Sequence, residues 1–326
     1  MLITGGAGFI GSNLVAALAE RGEEVAVCDR LGADERWRNI AKHEVADLVA
    51  PDALPSWLRR HDERVAVVVH LGALSSTTET DVDRFVEQNI RPTLALWEWC
   101  AAARRPFLYA SSAATYGDGS AGFEDDASPA ALARLRPLNA YGWSKHFVDR
   151  RIARLLAQGA PAPPQWVGLK FFNVYGPNEY HKGPMMSVAA QNHARVHAGE
   201  PMRLFRSHRP DYPDGGQRRD FIYVRDCVDV MLWLIANPQV SGLFNLGTGR
   251  AATFNELAEA LFAAVGRRPD IEYIDMPEAI RPRYQYHTEA AMGRLRAAGY
   301  KRPFTPLAEG IADYVHRYLE SADPYR

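Results

Sequence analysis

A glycine-rich segment near the start of the chain constrains the fold more than any other feature. The sequence TGGAGFIGS, residues 4–12, follows a short apolar run and leads into IGSNLVAALAERG, where apolar residues recur with a helical period. Gly5, Gly8 and Gly11 have the spacing G-x-x-G-x-x-G, and Gly6 with the last two also satisfies G-x-G-x-x-G. A glycine turn between a strand and a helix lets a pyrophosphate approach the backbone at the helix N-terminus. The segment therefore predicts a dinucleotide site.

The alternation of strand and helix continues through about the first 175 residues. Strand-like apolar runs, separated by segments of helical periodicity, end at Ile3, Asp29, Ala73, Ser112 and Gly176. The last run, WVGLKFFNVYG, is expected to form one strand. Continuous apolar strands between helices are typical of a parallel sheet covered on both faces. We expect an α/β fold with a Rossmann-type doubly wound parallel sheet in residues 1–176. Residues 177–326 should form mainly a smaller C-terminal α/β substrate lobe, with some segments returning to the Rossmann domain.

Composition excludes several classes of protein. The 326 residues carry a formal net charge of -1, which argues against a nucleic-acid-binding surface over the whole protein. No apolar run approaches the roughly 18 residues of a membrane span, and Met1 leads directly into a strand, so we expect neither a membrane segment nor a signal peptide. Cys28, Cys100 and Cys227 lack disulfide or zinc spacing. We therefore expect buried thiols, no metal site and a cytoplasmic location.

The residues after the second strand bear on the choice of dinucleotide. Asp29 lies 18 residues beyond Gly11, the last glycine of the loop, where an acidic group can bind an adenosine ribose. Its carboxylate repels a ribose 2′-phosphate and so favours NAD. Arg30 and Arg36 suit a phosphate and favour NADP. The residues by themselves leave both cofactors open.

A tyrosine and a lysine stand four residues apart at the start of a predicted helix. Tyr141 and Lys145, in YGWSK, share one helix face, and an ammonium group beside a phenol stabilises the phenolate. Ser112, near the carboxyl end of a strand, is placed to hydrogen-bond a reacting oxygen. With the glycine segment, these residues predict hydride transfer at an alcohol carbon, in which Tyr141 handles the hydroxyl proton.

Several further motifs resemble those of a known superfamily. TGGAGFIGS, HLGA, YASSAATYG, YGWSK and FFNVYGP are similar to the extended short-chain dehydrogenase/reductases, many of which are nucleotide-sugar epimerases. LSSTTE, NEYHKGPMMSV, RRDFIYVRD, FNLGTGRAATF and RPRYQYHTEA resemble the ADP-L-glycero-D-manno-heptose 6-epimerase family, over nearly the whole chain. The resemblance implies an NADP-dependent isomerase that inverts C6 of ADP-D-glycero-D-manno-heptose by transient oxidation, for the lipopolysaccharide core. It also implies homo-oligomers, including pentamers.

The resemblance implies positions for both ligands. Besides the loop glycines, the NADP site would include Phe9, Ile10, Asp29, Arg30, Arg36, Leu71, Gly72, Ala73, Leu74, Ser75, Asn89, Tyr141, Lys145 and Lys182. The sugar nucleotide would be held by Ser76, Asn173, Val174, Pro184, Gln191, Phe205, Arg206, Ser207, His208, Arg219 and Tyr284. Pro184 stands where many members have serine, Gln191 where some have histidine, and the loop SHRPDYPDGGQ is longer than in the enteric members.

Lys182, in NEYHKGPM, receives the second acid/base role from the resemblance. An epimerase that oxidises an alcohol and then reduces the ketone on its opposite face needs one acid/base group for each configuration. Partial burial would lower the pKa of this lysine toward neutrality. The arginines between residues 203 and 219 are expected to be solvated, except that Arg219 should face a diphosphate. Arg281 and Arg283 are further candidates for that contact.

Two other functions remain open. A different NAD(P)-dependent nucleotide-sugar epimerase or dehydratase is the first. A 4-epimerase would leave Lys182 idle, and a 4,6-dehydratase usually needs an acidic pair where Ala113 and Ala114 follow Ser112. The second is a non-catalytic dinucleotide-sensing protein, which would typically have lost the tyrosine or the lysine. The fold alone does not separate these functions, whereas the site residues do.

Overall fold

A seven-stranded parallel sheet forms the centre of the molecule. The computed structural model describes residues 1–278, 281 and 284–326. The strands of this sheet are β1 (Leu2–Thr4), β2 (Ala26–Cys28), β3 (Asp47–Val49), β4 (Val68–His70), β5 (Phe107–Ser112), β6 (Trp166–Phe171) and β10 (Gly242–Leu246). Their order is β10-β6-β5-β4-β1-β2-β3, and each neighbouring pair is parallel. The predicted doubly wound α/β fold is confirmed.

Helices connect the strands and cover the sheet. They are α1 (Phe9–Ala19), α2 (Leu54–His61), α3 (Val82–Phe85), α4 (Arg91–Ala103), α5 (Pro129–Leu132), α6 (Ala140–Ala157), α7 (Val188–Ala198), α8 (Val224–Ala236), α9 (Phe254–Val265), α10 (Gly293–Ala297) and α11 (Leu307–Tyr314). Helix α9 shows how the sequence sets both ends. The side chains of Thr253 and Glu256 form a capping box with the first turn, and Gly266 ends the helix at a φ of 72°.

Two smaller sheets lie outside the main one. They contain β11 (Ala251–Thr253), β9 (Arg218–Tyr223) and β7 (Asn173–Tyr175), and β12 (Ile271–Ile274) with β8 (Met202–Phe205). The prediction of one strand for WVGLKFFNVYG is therefore wrong, because the run divides at Phe172. The first part, β6, pairs with β5 and β10, whereas β7 pairs with β9.

Apolar side chains are buried on both faces of the main sheet. One cluster includes Val27 and Val69 of the sheet with Leu14 of α1 and Met231 of α8. A second includes Val68 and Phe107 with Trp97 of α4 and Ile152 of α6, and a third joins α7, α9 and α11 to the small sheets. Although β10 comes from the second half of the chain, it lies in the main sheet. The division between residues 176 and 177 stays a prediction.

Two exclusions from the sequence can be compared with the fold. All three cysteines are buried and free, as predicted. Within the part of the chain that the structure describes, no helix has both the length and the apolar character needed to cross a bilayer.

Candidate active site

The glycine segment forms a tight turn between β1 and α1. Gly5 has a φ of 68°, and a Cβ atom there would lie 2.5 Å from the amide nitrogen of Gly72. A Cβ atom on Gly11 would lie 2.0 Å from the carbonyl oxygen of Gly5. Gly8 precedes α1 without a capping side chain, so the first amides of the helix stay available to an anion. The turn therefore fits a dinucleotide pyrophosphate.

A cavity of about 570 Å³ opens beside this turn. Of the predicted cofactor residues, it is lined by Gly5, Asp29, Arg30, Arg36, Gly72, Ala73 and Leu74. Its position at the carboxyl ends of β1, β2 and β4 is where open α/β sheets bind ligands. Arg59 of α2 and Arg91 of α4 also line it. Sequence reasoning missed both of these arginines, because nothing local marks a helix arginine as facing a cavity.

Asp29 joins the glycine turn to the arginines. Its carboxylate accepts hydrogen bonds from the amides of Ala7 (2.9 Å) and Arg30 (2.7 Å), and Nη1 of Arg36 lies 3.7 Å from it. Burial raises the pKa of Asp29, while these amides and the charge of Arg36 act in the opposite direction. The guanidinium of Arg30 pairs with Asp52 at 2.8 Å, at an exposed position. Two carboxylates and two cations thus line this part of the cavity.

Tyr141, Lys145 and Ser112 are brought together where β5 ends and α6 begins. Asn139 caps α6 by accepting a hydrogen bond from the amide of Gly142 at 2.8 Å. Burial raises the pKa of Tyr141, and a hydrogen bond from the hydroxyl of Ser112 opposes this rise. Burial also lowers the pKa of Lys145 to about 8. A lysine with this pKa remains mostly protonated at pH 7, so its charge is available to a phenolate or a ribose.

Asn89 ties the cofactor segment to α6. Its side chain exchanges hydrogen bonds with the backbone of Leu74, at 2.8 and 3.0 Å, and donates to Oγ of Ser144 at 2.9 Å. Asn89 is only 1% exposed, so its amide group belongs to the interior. These bonds hold residues 71–75 beside the helix that carries Tyr141 and Lys145.

A fully buried ion pair lies beneath the same helix. Nζ of Lys170, on β6, is 2.7 Å from Oδ2 of Asp149, on α6, and both side chains are 0% exposed. The carboxylate also accepts hydrogen bonds from Ser111 (2.7 Å) and Tyr109 (3.1 Å), and the lysine donates to Thr115 at 2.6 Å. The sequence carried a signal for this pair, since a lysine inside the apolar run GLKFF must find an anion when buried.

Lys182 lies on the turn Tyr180–Met185, which follows β7. Its Nζ is 5.0 Å from the centre of the Phe9 ring, at the first residue of α1. Burial lowers the pKa of Lys182, and the nearby carboxylate of Glu179 opposes the fall. The fold therefore brings this lysine next to the helix that the glycine turn begins.

The predicted substrate residues fall into two groups. Arg219 is buried, 5.0 Å from the centre of the Tyr284 ring, and Phe205 packs against the same ring. By contrast, Pro184 and Gln191 are exposed, and Gln191 donates to the carbonyls of Pro184 and Met186. The other predicted members are partly or fully exposed: Ser76, Asn173, Val174, Arg206, Ser207 and His208.

The neighbouring arginines follow the predicted pattern of exposure. Arg203, Arg206, Arg209 and Arg218 are exposed, whereas Arg219 is buried. Arg281 and Arg283 are the two further candidates for the diphosphate contact. Arg281 donates from Nε to the carbonyl of Met276 at 2.7 Å, and Arg283 lies outside the described residues.

Comparison with known proteins identifies the family of this chain. The model of the NAD dependent epimerase/dehydratase family matches residues 1–247. The chain belongs to this family. It is 50% identical, over 99% of its own length and 99% of the relative's, to a protein of Nitratidesulfovibrio vulgaris (strain Hildenborough) named ADP-L-glycero-D-manno-heptose-6-epimerase.

Two solved structures of epimerases also resemble this member of the family. The Helicobacter pylori ADP-L-glycero-D-manno-heptose-6-epimerase has a TM-score of 0.78 and 29% identity, over 97% of this chain and 94% of that one. The Thermus thermophilus UDP-glucose 4-epimerase, in complex with NAD, has a TM-score of 0.77 and 27% identity, over 98% and 99%. The chain thus has the fold of the epimerase/dehydratase family over nearly its whole length.

Proposed function

We propose that the protein inverts C6 of ADP-D-glycero-D-manno-heptose to give ADP-L-glycero-D-manno-heptose. The observation that carries this proposal is the 50% identity, over 99% of the chain, to a relative named for that epimerase activity. The resemblance in fold to the Helicobacter pylori enzyme supports it further. The product is a heptose precursor of the lipopolysaccharide core.

The nicotinamide dinucleotide would lie along the glycine turn and the cavity, with Lys145 at its ribose. When bound, it supplies a hydride acceptor and donor at the substrate carbon. Tyr141 and Lys182 are the proposed proton handlers. In one configuration Oη of Tyr141 takes or returns the proton of the C6 hydroxyl, and in the other configuration Nζ of Lys182 does so. Ser112 would hydrogen-bond the C6 oxygen and orient it.

Two features of the structure support the role of Lys182. Its Nζ lies near Phe9, at the start of the helix that follows the glycine turn. Its lowered pKa brings the ammonium group closer to the range in which a lysine can both donate and accept a proton. For the sugar nucleotide, the buried Arg219 beside Tyr284 is the strongest candidate for the diphosphate.

The test is a reaction with ADP-D-glycero-D-manno-heptose, in which the C6 configuration is followed by NMR. We expect equilibration of the two C6 epimers without net consumption of cofactor, because the hydride taken from C6 is returned. Inversion at C4 of a UDP-sugar in place of the heptose would favour a different nucleotide-sugar epimerase. Binding of the dinucleotide with no turnover of either substrate would favour the sensing protein.

We propose NADP, in preference to NAD, as the cofactor. Arg30 and Arg36 flank Asp29, and Nη1 of Arg36 lies 3.7 Å from its carboxylate, which reduces the repulsion of a 2′-phosphate. Arg59 and Arg91 add positive charge to the same cavity.

Calorimetric titration of cofactor-free protein should show tighter binding of NADP. The variant Arg36→Ala should weaken NADP roughly 10- to 100-fold, the usual contribution of one charged hydrogen bond, and leave NAD nearly unchanged. Arg38→Ala is the matched control, since Arg38 pairs with Glu35 on the same turn and does not line the cavity. Equal or tighter binding of NAD by the unaltered protein would contradict the proposal.

We also propose a cytoplasmic homo-oligomer, of which a pentamer is one form. Trp143 and Phe147 lie one turn apart on α6 with ring centroids 5.8 Å apart, and both are exposed. Exposed aromatic pairs of this kind are typical of protein interfaces. Light scattering on the protein as it elutes from a size-exclusion column would measure the mass of the assembly. A monomer at micromolar concentration would contradict self-association.

A further inference from the structure

Three side chains that ligate metals in other proteins meet outside the proposed active-site residues. His193 and His197 stand four residues apart on α7, and Glu320 follows the last turn after α11. Their ligand atoms all lie within 4.8 Å of one another. Oε1 of Glu320 is 3.5 Å from Nδ1 of His197 and 3.9 Å from Nε2 of His193.

The buried histidine gives an independent reason to expect a ligand. His193 is only 9% exposed, and its Nε2 has no hydrogen-bond partner among the described residues. The distance of 3.9 Å to Glu320 is too long for a hydrogen bond. A buried polar nitrogen without a partner is uncommon in native proteins.

We propose that His193, His197 and Glu320 bind one divalent metal ion of the zinc class and so link α7 to the segment after α11. Two imidazoles and one carboxylate are a donor set that zinc accepts, with a fourth position left for water. Ligands on a tetrahedral zinc ion are about 3.4 Å apart. The separations of 3.5 and 3.9 Å between Glu320 and the two histidines are close to that value.

The site is independent of the proposed enzymatic function. It depends only on the packing of α7 beside the turn Val315–Leu319. The sequence shows two of the three ligands, because QNHARVHAG places two histidines on one helix face. The third ligand comes from more than a hundred residues later, so no spacing pattern could have revealed it.

The test uses untagged protein that has been treated with a chelator and dialysed. Calorimetric titration with Zn²⁺ should give one saturable site per chain, and Zn²⁺ should raise the melting temperature. His193→Ala and His197→Ala should each weaken binding more than about tenfold, since even the loss of a group that merely supports a ligand has that effect. The matched control is His316→Ala, which removes an exposed imidazole of the same C-terminal segment.

A second measurement does not depend on the folding of a core variant. Glu320→Gln changes one side chain that is partly exposed, and it should reduce the Zn²⁺ affinity while the folded protein persists. Substituted Co²⁺ should show visible absorption bands that His197→Ala removes. Absence of a saturable site, or affinity that the three ligand variants do not change, would overturn the proposal.

Discussion

Two lysines of the proposed active site have similar electrostatic settings in different kinds of structure. Burial lowers the pKa of Lys145 to about 8 and also lowers the pKa of Lys182. In each case one nearby carboxylate, Asp149 or Glu179, opposes the fall. Lys145 lies within the long helix α6, whereas Lys182 lies on the short turn Tyr180–Met185.

The two carboxylates differ in what holds them. Asp149 is bound by a second cation, Lys170, at 2.7 Å inside the core. Glu179 is bound by uncharged donors, the hydroxyl of Ser187 at 2.7 Å and that of Tyr314 at 3.2 Å, and burial raises its pKa. The carboxylate near Lys145 is thus part of an ion pair in the core, whereas the carboxylate near Lys182 has hydroxyl groups as partners. We propose cofactor binding for Lys145 and proton transfer for Lys182.

The largest effect is expected at the tyrosine that pairs with Lys145. Tyr141→Phe should keep the fold and cofactor binding, because the ring stays, but lose about 10²- to 10⁴-fold in turnover, the usual contribution of a general acid/base. Turnover would be measured by NMR at saturating substrate, and cofactor binding by calorimetry. A rate near that of the unaltered protein would show that Tyr141 and Lys145 are only a face of α6.

On the other side of the comparison, Lys182→Met should nearly abolish epimerisation in both directions. Each direction needs one group to take a proton and the other to return it. The measurement is again turnover at saturating substrate, with KM determined separately. A raised KM with full turnover would mean that Lys182 only binds substrate or shapes the turn. Such a result indicates the loss of an interaction that stabilises the bound substrate and the transition state equally.

Dismutation of an aldehyde analogue separates the two residues further. Such a substrate can be oxidised and reduced without inversion of a centre, so one remaining proton handler can support part of the reaction. Lys182→Met should keep some dismutase activity, whereas Tyr141→Phe should lose more of it. Equal loss of both activities in the two variants would remove the distinction between them.

The ion pair between Lys170 and Asp149, next to Lys145, can be broken by substitution of either residue. Lys170→Met leaves Asp149 buried without its cation, and Asp149→Asn leaves Lys170 without its anion. Each variant should cost about 3–5 kcal/mol of unfolding free energy, the usual cost of breaking a buried pair. Urea denaturation of the double variant should show partial recovery, because neither charge remains. Costs that simply add in the double variant would contradict direct coupling across the pair.

The sequence predicted the elements whose chemistry is local. The glycine turn and the four-residue spacing of Tyr141 and Lys145 both follow from contacts within a few residues. The fold also places Lys182 near Phe9, although the two are far apart in the chain. No observation of the structure tests the roles assigned to these residues, so the roles stay predictions.

The features that sequence reasoning missed depend on partners distant in the chain. The run divides at Phe172 because β10 pairs with its first part and β9 with its second, and local hydrophobicity does not encode which partner is present. Arg59 and Arg91 reach the cavity from separate helices. Lys170 was visible as a charge in an apolar strand, but its anion, Asp149, lies on another element. A single sequence therefore shows one residue or segment of each interaction, but not the distant partner.

The smallest predicted effect concerns Glu179, the carboxylate near Lys182. Glu179→Gln removes the charge that raises the pKa of Lys182, so the pKa of Lys182 should fall further. In the direction in which Lys182 donates its proton, activity is lost as pH rises through that pKa. The decline of kcat/KM should therefore begin at lower pH in the variant. Where Lys182 accepts the proton, the rise of kcat/KM with pH should also move to lower pH. Glu259→Gln, at an exposed position on α9, is the control and should leave both limbs unchanged. If the decline or the rise of kcat/KM moves to higher pH, or does not move, Glu179 does not set the pKa of the lysine that transfers the proton.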